Sequence, residues 1–233
     1  RILPSILDET GARMVQSVLE EHGATFYLAD SVAHFDEHRA TLRSGKEVEF
    51  DILITAVGVR PNVELVKEAG GEVSRGIVID AGGRTTLPDV YAAGDCTESL
   101  DVASGTKKIL ALLPNAFFQG RIAGVNMAGG EERLTDAAAF NSIGFFGTHV
   151  MTAGVYEGEE YLERTETAYK ALFLKDGVLK GFILIDHPER AGIYTMLLRK
   201  RIPLSEVDLK ALEADPKWSA LPEEMRRDFA REV

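Results

Sequence analysis

The segment from Thr85 to Asp95, T-T-L-P-D-V-Y-A-A-G-D, is the feature that most constrains the fold. It predicts a short buried strand over Val90-Tyr91-Ala92 that leaves through Ala93-Gly94 and ends in one carboxylate, Asp95. Open α/β sheets bind ligands beyond the carboxyl ends of their strands, and an ionised carboxylate accepts hydrogen bonds from hydroxyls. Asp95 is therefore a candidate for holding a polyol chain. The alternative is that it only caps a turn.

Composition excludes several classes of function. The chain has 233 residues, 45% hydrophobic and 27% charged, which is ordinary for a soluble globular protein with room for one large or two modest domains. Its formal net charge is −11 and no basic patch stands out, so we expect no nucleic-acid or anionic-membrane partner. No apolar run approaches the ~20 residues of a membrane-spanning helix, and no signal peptide is visible. These observations predict a cytoplasmic protein.

The residues that most often bind metals or act as nucleophiles are sparse. Cys96 is the single cysteine, which excludes an internal disulfide and a cysteine-rich metal site, and a packed structural thiol is the favoured interpretation. The histidines show no spacing typical of metal ligands, and none pairs with a candidate nucleophile: His22, His34, His38, His149 and His187. We predict no metal site and no catalytic side chain.

The first quarter of the chain has the pattern of an α/β protein. A helical period over Leu7–His22 is followed by a predicted strand at Thr25–Ala29. Three short polar strands are then predicted, at Ser31–Phe35, Ala40–Leu42 and Val48–Phe50. The run Asp51–Val57, D-I-L-I-T-A-V, ends in Gly58 and predicts a strand buried on both faces of a parallel sheet.

The second quarter predicts two helices. The first covers Val63–Ala69, with Asn62 as its N-cap, and the second covers Pro114–Met127. Between them we expect a strand at Gly76–Asp80 and an exposed connection over Thr97–Lys108. Small residues share one face of the second helix, where they would let it approach either a sheet or a flat ligand: Ala116, Gly120, Ala123 and Gly124.

After Gly129-Gly130 the pattern changes to antiparallel strands. Their predicted positions are Asn141–Phe146, His149–Val155, Glu160–Glu166, Tyr169–Lys175 and Val178–Ile185. Asp176-Gly177 is a strong hairpin signal. A helix over Ala191–Arg201 should end before Pro203, and the charged tail should be anchored by Trp218.

Three segments together resemble one family. Gly58-Val59-Arg60-Pro61-Asn62, followed by Thr86–Asp95, resembles the FAD-dependent pyridine nucleotide-disulfide oxidoreductase superfamily. The segment Leu112–Gly129, L-L-P-N-A-F-F-Q-G-R-I-A-G-V-N-M-A-G, is similar to the branch with rubredoxin reductases, NADH oxidases and the flavin part of nitrite reductases. The antiparallel region after Phe140 resembles the interface domain of those proteins.

The resemblance implies an α/β fold made of partial, Rossmann-like FAD and NAD(P) domains followed by an α+β interface domain with an antiparallel sheet. The NAD(P) part would cover residues 1–58 and the FAD part residues 59–130. The interface domain would cover residues 138–210, and a helical tail residues 211–233. Without the missing strands the chain would expose sheet edges, so we also expect a homo-oligomer that covers them.

The resemblance also assigns cofactor-binding residues. Asp95 would bind the ribityl hydroxyls of FAD, with Gly94 allowing a close approach. The helix that begins near Leu113 would aim backbone N–H groups at the pyrimidine edge of the flavin, so that Leu113 and Ala116 lie near the ring. Many relatives have tryptophan where Leu113 stands. Val57-Gly58 would lie under the nicotinamide nucleotide.

The function implied by the family is the transfer of electrons from NAD(P)H through FAD to a rubredoxin-like protein, oxygen or a nitrite-reductase centre. The cofactor carries this chemistry. The sequence contains no glycine-rich FAD-phosphate loop, no G-x-G-x-x-G loop for NAD(P)H and no redox cysteine pair. We therefore expect a fragment, with FAD binding by this chain left open. The alternative is a non-catalytic interface or oligomerisation module.

Overall fold

The computed structural model describes residues 1–187, 191–214 and 216–232. The chain divides into two compact units, Arg1–Val59 and Arg60–Val233, and each is described by itself. No helix in these described ranges has the length and apolar character that crossing a bilayer requires.

The first unit contains one helix and one small sheet. Helix α1 spans Glu9–Glu21, and its N-cap Asp8 accepts a hydrogen bond from the Gly11 backbone N–H at 2.7 Å. The predicted helix is confirmed, and it buries Ala12 and Val15. Strands β1 (Val32–Phe35), β2 (Arg39–Leu42) and β3 (Glu47–Glu49) then form an antiparallel sheet in sequence order, as predicted.

Two predicted strands of this unit are wrong. Thr25–Ala29 and Asp51–Val57 form no ladder with any segment in the described part of the chain. The second run is exposed: Ile52 is 79% and Ile54 83% accessible. A strand is stable only where a neighbouring strand satisfies its backbone N–H and C=O groups, and apolar character alone does not supply that neighbour.

The second unit opens with a short helix and a three-stranded sheet. Helix α2 spans Glu64–Glu68; its N-cap is Val63, not the predicted Asn62, and no side chain caps it. Strand β4 (Ile77–Val78) pairs in parallel with β5 (Thr97–Asp101), and β5 pairs antiparallel with β6 (Thr106–Ile109). The predicted strand at Gly76–Asp80 is thus confirmed in its central part.

The predicted exposed connection over Thr97–Lys108 is instead the hairpin of β5 and β6. Polar residues on β5 suggested a surface loop, but they are buried because each has partners. The Glu98 Oε1 atom accepts hydrogen bonds from the backbone N–H groups of Arg75 (2.8 Å) and Gly76 (3.1 Å). The side chain of Asp101 is 0% exposed and lies 2.7 Å from the Lys108 ammonium.

The predicted buried strand Val90–Ala92 is also wrong. Tyr91 makes one isolated bridge with Arg84, and the Val90 side chain is 37% exposed. As at the two wrong strands of the first unit, the apolar run has no adjacent strand among the described residues. Helix α3 follows over Leu113–Met127, with Pro114 in its first turn, as predicted.

The remainder of the second unit is a five-stranded antiparallel sheet with the order β7-β8-β11-β10-β9. Its strands are β7 (Phe140–Phe145), β8 (Thr148–Gly154), β9 (Glu159–Arg164), β10 (Tyr169–Lys175) and β11 (Val178–Ile185). All five predicted strands are confirmed. Asp176 (φ 56°) and Gly177 (φ 71°) make the predicted two-residue turn between β10 and β11.

Helix α4, Ala191–Arg199, packs on this sheet and completes the largest hydrophobic core. The chain continues through α5 (Leu209–Ala214) and α6 (Glu223–Glu232). Trp218 does not anchor this region, because 47% of its surface is exposed. Leu212 and Leu221, 1% and 3% exposed, pack into the core instead.

The helices and sheets of the two units together give the mixed α/β fold class that was predicted.

Candidate functional site

The candidate site is built around the turn that connects Tyr91 to β5. Gly94 has a φ of +86°, a left-handed conformation that favours glycine. Its carbonyl oxygen accepts hydrogen bonds from the Thr97 backbone N–H (3.0 Å) and the Thr97 hydroxyl (2.7 Å). These bonds fix the turn on the first residue of β5, so that Asp95 projects from a well-defined position.

Gln119 of α3 fastens this turn to the helix. Its side-chain Oε1 accepts a hydrogen bond from the Gly94 backbone N–H at 2.7 Å. Its Nε2 donates to the hydroxyl of Ser99 on β5 at 3.1 Å. Gln119 is only 4% exposed, and a buried amide with both ends hydrogen-bonded holds its neighbours in one arrangement. Sequence reasoning missed this residue.

The buried face of α3 is polar. Asn115 donates from Nδ2 to the Ala138 carbonyl oxygen at 3.1 Å. Asn126 donates from Nδ2 to the Gly82 and Glu132 carbonyl oxygens, both at 2.9 Å. Together with Gln119, these amides lie four and seven residues apart, which places them on one side of the helix. That spacing could have indicated a distinct polar face from the sequence, but amides on one helix face usually indicate a surface exposed to solvent.

Several other residues of α3 are apolar and exposed. Leu113 is 88%, Phe117 67% and Met127 65% exposed. Of the predicted small-residue face, Ala123 is buried, but a Cβ atom at Gly120 or Gly124 would meet no described atom within 4 Å. The helix glycines therefore do not serve helix–sheet packing within the described part of the chain.

Asp95 and the first turn of α3 present complementary groups close together. A Cβ atom placed on Gly94 would lie 3.7 Å from the Ala116 Cβ, so the turn and the helix start are in contact. Asp95 is exposed, and its carboxylate has no hydrogen bond or ion pair with any described residue. The Leu113 and Asn115 backbone N–H groups likewise have no partner within the described ranges, and no side chain caps the helix. One edge thus offers a carboxylate acceptor and two amide donors.

The residues predicted to contact the nicotinamide nucleotide lie in the first unit. Val57 is 90% exposed, and Gly58 has a φ of +88° with no described atom within 4 Å of a Cβ position. They belong to the exposed segment over residues 51–60 and do not follow the buried strand predicted there. Their assignment to a nucleotide stays a prediction.

Cys96 follows Asp95 directly and is half-buried, with its Sγ atom 3.6 Å from the Ala93 carbonyl oxygen. In the described ranges no three histidine, cysteine, aspartate or glutamate side chains cluster as ligands for a metal ion. For hydrogen bonding, the site presents the Asp95 carboxylate and the N–H groups at the start of α3.

Comparison with protein families identifies this architecture. The model of the family described as pyridine nucleotide-disulphide oxidoreductase matches residues 1–120. The chain belongs to the pyridine nucleotide-disulphide oxidoreductase family. The family predicted from the three sequence segments is thereby confirmed, and the Gly94–Asp95 turn and the start of α3 lie inside the matched region.

Several relatives in this family are longer than this chain. The NADH-dependent phenylglyoxylate dehydrogenase subunit epsilon of Aromatoleum evansii is 31% identical over 211 residues, or 85% of this chain and 50% of the relative. The rubredoxin-NAD(+) reductase of Alcanivorax borkumensis is 38% identical over 103 residues, or 42% of this chain and 27% of the relative. The chain spans about half or less of the length of these relatives.

A solved structure shows the same fold. Putidaredoxin reductase, in its covalent complex with putidaredoxin, superposes with a TM-score of 0.81 and 19% sequence identity. The superposition covers 92% of this chain and 53% of that one. At this level of identity the similarity establishes the fold alone.

Proposed function

We propose that this chain supplies the ribityl- and flavin-binding elements of a flavoprotein reductase that passes electrons from NAD(P)H through FAD to an acceptor. The observation that carries the proposal is the Asp95 carboxylate, which has no partner among the described residues, in the turn whose Gly94 contacts the uncapped start of α3. Family membership supports it, since relatives are named as NADH- or NAD(+)-dependent oxidoreductases.

The residues present fit the flavin end of FAD. The Asp95 carboxylate would accept hydrogen bonds from ribityl hydroxyls, which donate readily to an ionised acceptor. Gly94 would allow this chain to pass close to the backbone. The Leu113 and Asn115 N–H groups would donate to the pyrimidine edge of the flavin, and the helix dipole would favour negative charge there by about 0.3–1 kcal/mol.

Bound FAD would supply the hydride and electron transfer. The contribution of this chain is orientation: Gln119 fixes the Gly94 turn against α3, and Leu113 and Ala116 would line one side of the ring. Val57-Gly58 would contribute shape beside the nicotinamide nucleotide. No side chain of this chain would need to act as an acid or base, because the cofactor carries the chemistry.

The proposal extends to organisation and partners. We assign residues 1–58 to an NAD(P) part, 59–130 to an FAD part, 138–210 to an interface domain and 211–233 to a helical tail. The names of the relatives support a redox protein such as rubredoxin as acceptor, with oxygen or a nitrite-reductase centre as the other acceptors considered. The interface domain supports a homo-oligomer.

A second candidate function is a non-catalytic interface module. It is favoured by the largest hydrophobic core, which consists mainly of residues from the five-stranded sheet, α4 and the following segments. The residues of this core lie mostly outside the Gly94–Asp95 turn and α3. The sheet domain therefore has a hydrophobic core that depends little on the residues of the candidate flavin site.

Reduction of bound flavin separates the two functions. The purified chain should be incubated with FAD, desalted, and treated anaerobically with NADH or NADPH while the flavin absorbance band is followed. The reductase proposal predicts a yellow protein whose band bleaches, with oxidised rubredoxin restoring the colour. A colourless protein after desalting would contradict the proposal and favour the interface module.

A further inference from the structure

A second concave site lies in the second unit, between the sheet of β4 and β5 and the segment over residues 133–137. Its volume is about 370 Å³. Two backbone hydrogen bonds hold the segment in place: the Leu134 N–H donates to the Ala81 carbonyl oxygen (2.8 Å) and the Val102 N–H to the Ala137 carbonyl oxygen (2.9 Å). The cavity is thus bounded by paired backbone and keeps its shape.

Two buried side chains on the cavity wall have unused donors. Ser99 is 7% and Gln119 4% exposed, and both line the cavity. The Ser99 hydroxyl accepts a hydrogen bond from Gln119 Nε2, but its own hydrogen has no acceptor among the described residues. The second hydrogen of the Gln119 amide also has none there. Buried donors without acceptors are costly, so this wall favours a ligand with an oxygen acceptor.

Two cations stand at the mouth of the same cavity. Lys107 and Arg133 line it, are exposed, and form no ion pair with any residue in the described ranges. Two cationic residues without an ion pair in the described ranges are unexpected in the lining of one cavity in a chain of net charge −11. The carboxylate of Asp80 also lines the cavity, but it is engaged by the Gly82 and Arg84 N–H groups at 2.8 and 2.9 Å. The mouth therefore favours an anion.

The remaining wall is apolar and the space is small. Ile79 and Ala137 are each 2% exposed, and Leu134 lies beside them. Small-molecule sites combine mostly apolar walls with a few convergent polar groups and span about 300–1,000 Å³, so this cavity lies near the lower limit. It fits one small organic molecule and is too small for a dinucleotide.

We propose that this cavity binds a small 2-oxo acid with an apolar body. Its carboxylate pairs with Lys107 and Arg133, its oxo group accepts from Ser99 and Gln119, and its hydrocarbon part covers Ile79 and Ala137. Charge-assisted hydrogen bonds at the mouth supply most of the affinity, and the wall donors distinguish an oxo acid from a simple acid. The cavity shares Gln119 with the Gly94 turn but does not include Asp95, and the proposal does not depend on flavin binding.

The test is a calorimetric titration of the full chain with three isosteric probes: 4-methyl-2-oxopentanoate, 4-methylpentanoate and 4-methylpentanamide. The proposal predicts affinities that fall in that order, with the amide at least about tenfold weaker than the 2-oxo acid. Amide NMR shifts should locate the bound probe at Ser99, Leu134 and Ala137.

Variants make the test specific. The double variant Lys107→Gln/Arg133→Gln should weaken 4-methyl-2-oxopentanoate by about tenfold or more, whereas Arg60→Gln/Lys67→Gln removes two exposed cations elsewhere and should leave it unchanged. Ser99→Ala should reduce the preference for the oxo acid over 4-methylpentanoate.

The proposal is overturned if the wild type shows no saturable binding, if the amide binds equally well, or if both double variants bind alike. Circular dichroism melts verify that each variant is folded.

Discussion

Replacing Gln119 with leucine is expected to lower the free energy of unfolding by about 2–4 kcal/mol. The change leaves the Gly94 N–H and the Ser99 hydroxyl without their present partner in a buried setting. Each unsatisfied buried group costs about 1–3 kcal/mol. Because leucine and glutamine have similar volumes, the lost stability comes from the missing hydrogen bonds and not from a cavity. The same variant should bind FAD more weakly, since the Gly94 turn is no longer fixed to α3. Urea unfolding and flavin fluorescence measure the two effects.

The control for this variant is Gln16→Leu in α1. The Gln16 amide donates to Glu20 Oε1 at 2.8 Å on an exposed helix face, where water replaces the lost bond. Its effect on unfolding should stay within about 0.5 kcal/mol. Equal effects of the two substitutions would contradict the role assigned to Gln119.

Replacing Asp101 with asparagine is expected to cost about 2 kcal/mol at neutral pH, and the cost should disappear in acid. Burial would by itself raise the pKa of the Asp101 carboxyl, but hydrogen bonds from Lys108 and Ser104 outweigh burial and hold the pKa below its ordinary value. The Ser104 hydroxyl donates to Oδ2 at 2.6 Å, and the Lys108 ammonium lies 2.7 Å away. Because 36% of the Lys108 side chain is exposed, water can rehydrate it, which limits the cost.

The direction of the pH dependence follows from the lowered pKa. Unfolding returns Asp101 to an ordinary pKa of about 3.9, so the unfolded chain binds the proton more readily. The stabilisation is therefore complete above about pH 4 and is lost as the pH falls through the folded-state pKa. Urea midpoints of the wild type and the variant should converge as the pH falls through the folded-state pKa of Asp101. Asp51→Asn, at an exposed position, should show no such difference, and a gap of constant size for Asp101→Asn would contradict the ion-pair explanation.

Elements whose hydrogen-bonding partners are close in sequence could be predicted from the sequence. The strands from Tyr169 to Ile185 pair with each other through the Asp176-Gly177 turn, so the turn chemistry specified both strands and their neighbour. Helix α1 satisfies its backbone internally and likewise matched its period. The strands at Thr25–Ala29, Asp51–Val57 and Val90–Ala92 failed because each needs a partner strand that local sequence does not specify.

The candidate site shows the same limit. The resemblance pointed to Gly94, Asp95, Leu113 and Ala116, and the structure brings Gly94 against Ala116. It does not place Asp95 at the end of a buried strand. The buried face of α3 was not predicted because burial of Gln119 depends on its hydrogen bonds with Gly94 and Ser99, which lie 25 and 20 residues away in the sequence. Pairing across such distances is invisible to helical periodicity.

The central claim is that Asp95 and the start of α3 hold the flavin end of FAD, and one titration tests it most directly. FAD is added to the wild type, to Asp95→Ala and to the control Asp51→Asn, and binding is followed by flavin fluorescence. Because Asp95 is exposed and unpartnered in the described ranges, its removal should leave the unfolding free energy within about 0.5 kcal/mol of the wild type. The account predicts saturable binding that Asp95→Ala weakens by at least about tenfold and the control leaves unchanged. Equal affinity of the wild type and Asp95→Ala, or no saturable binding by the wild type, would contradict it.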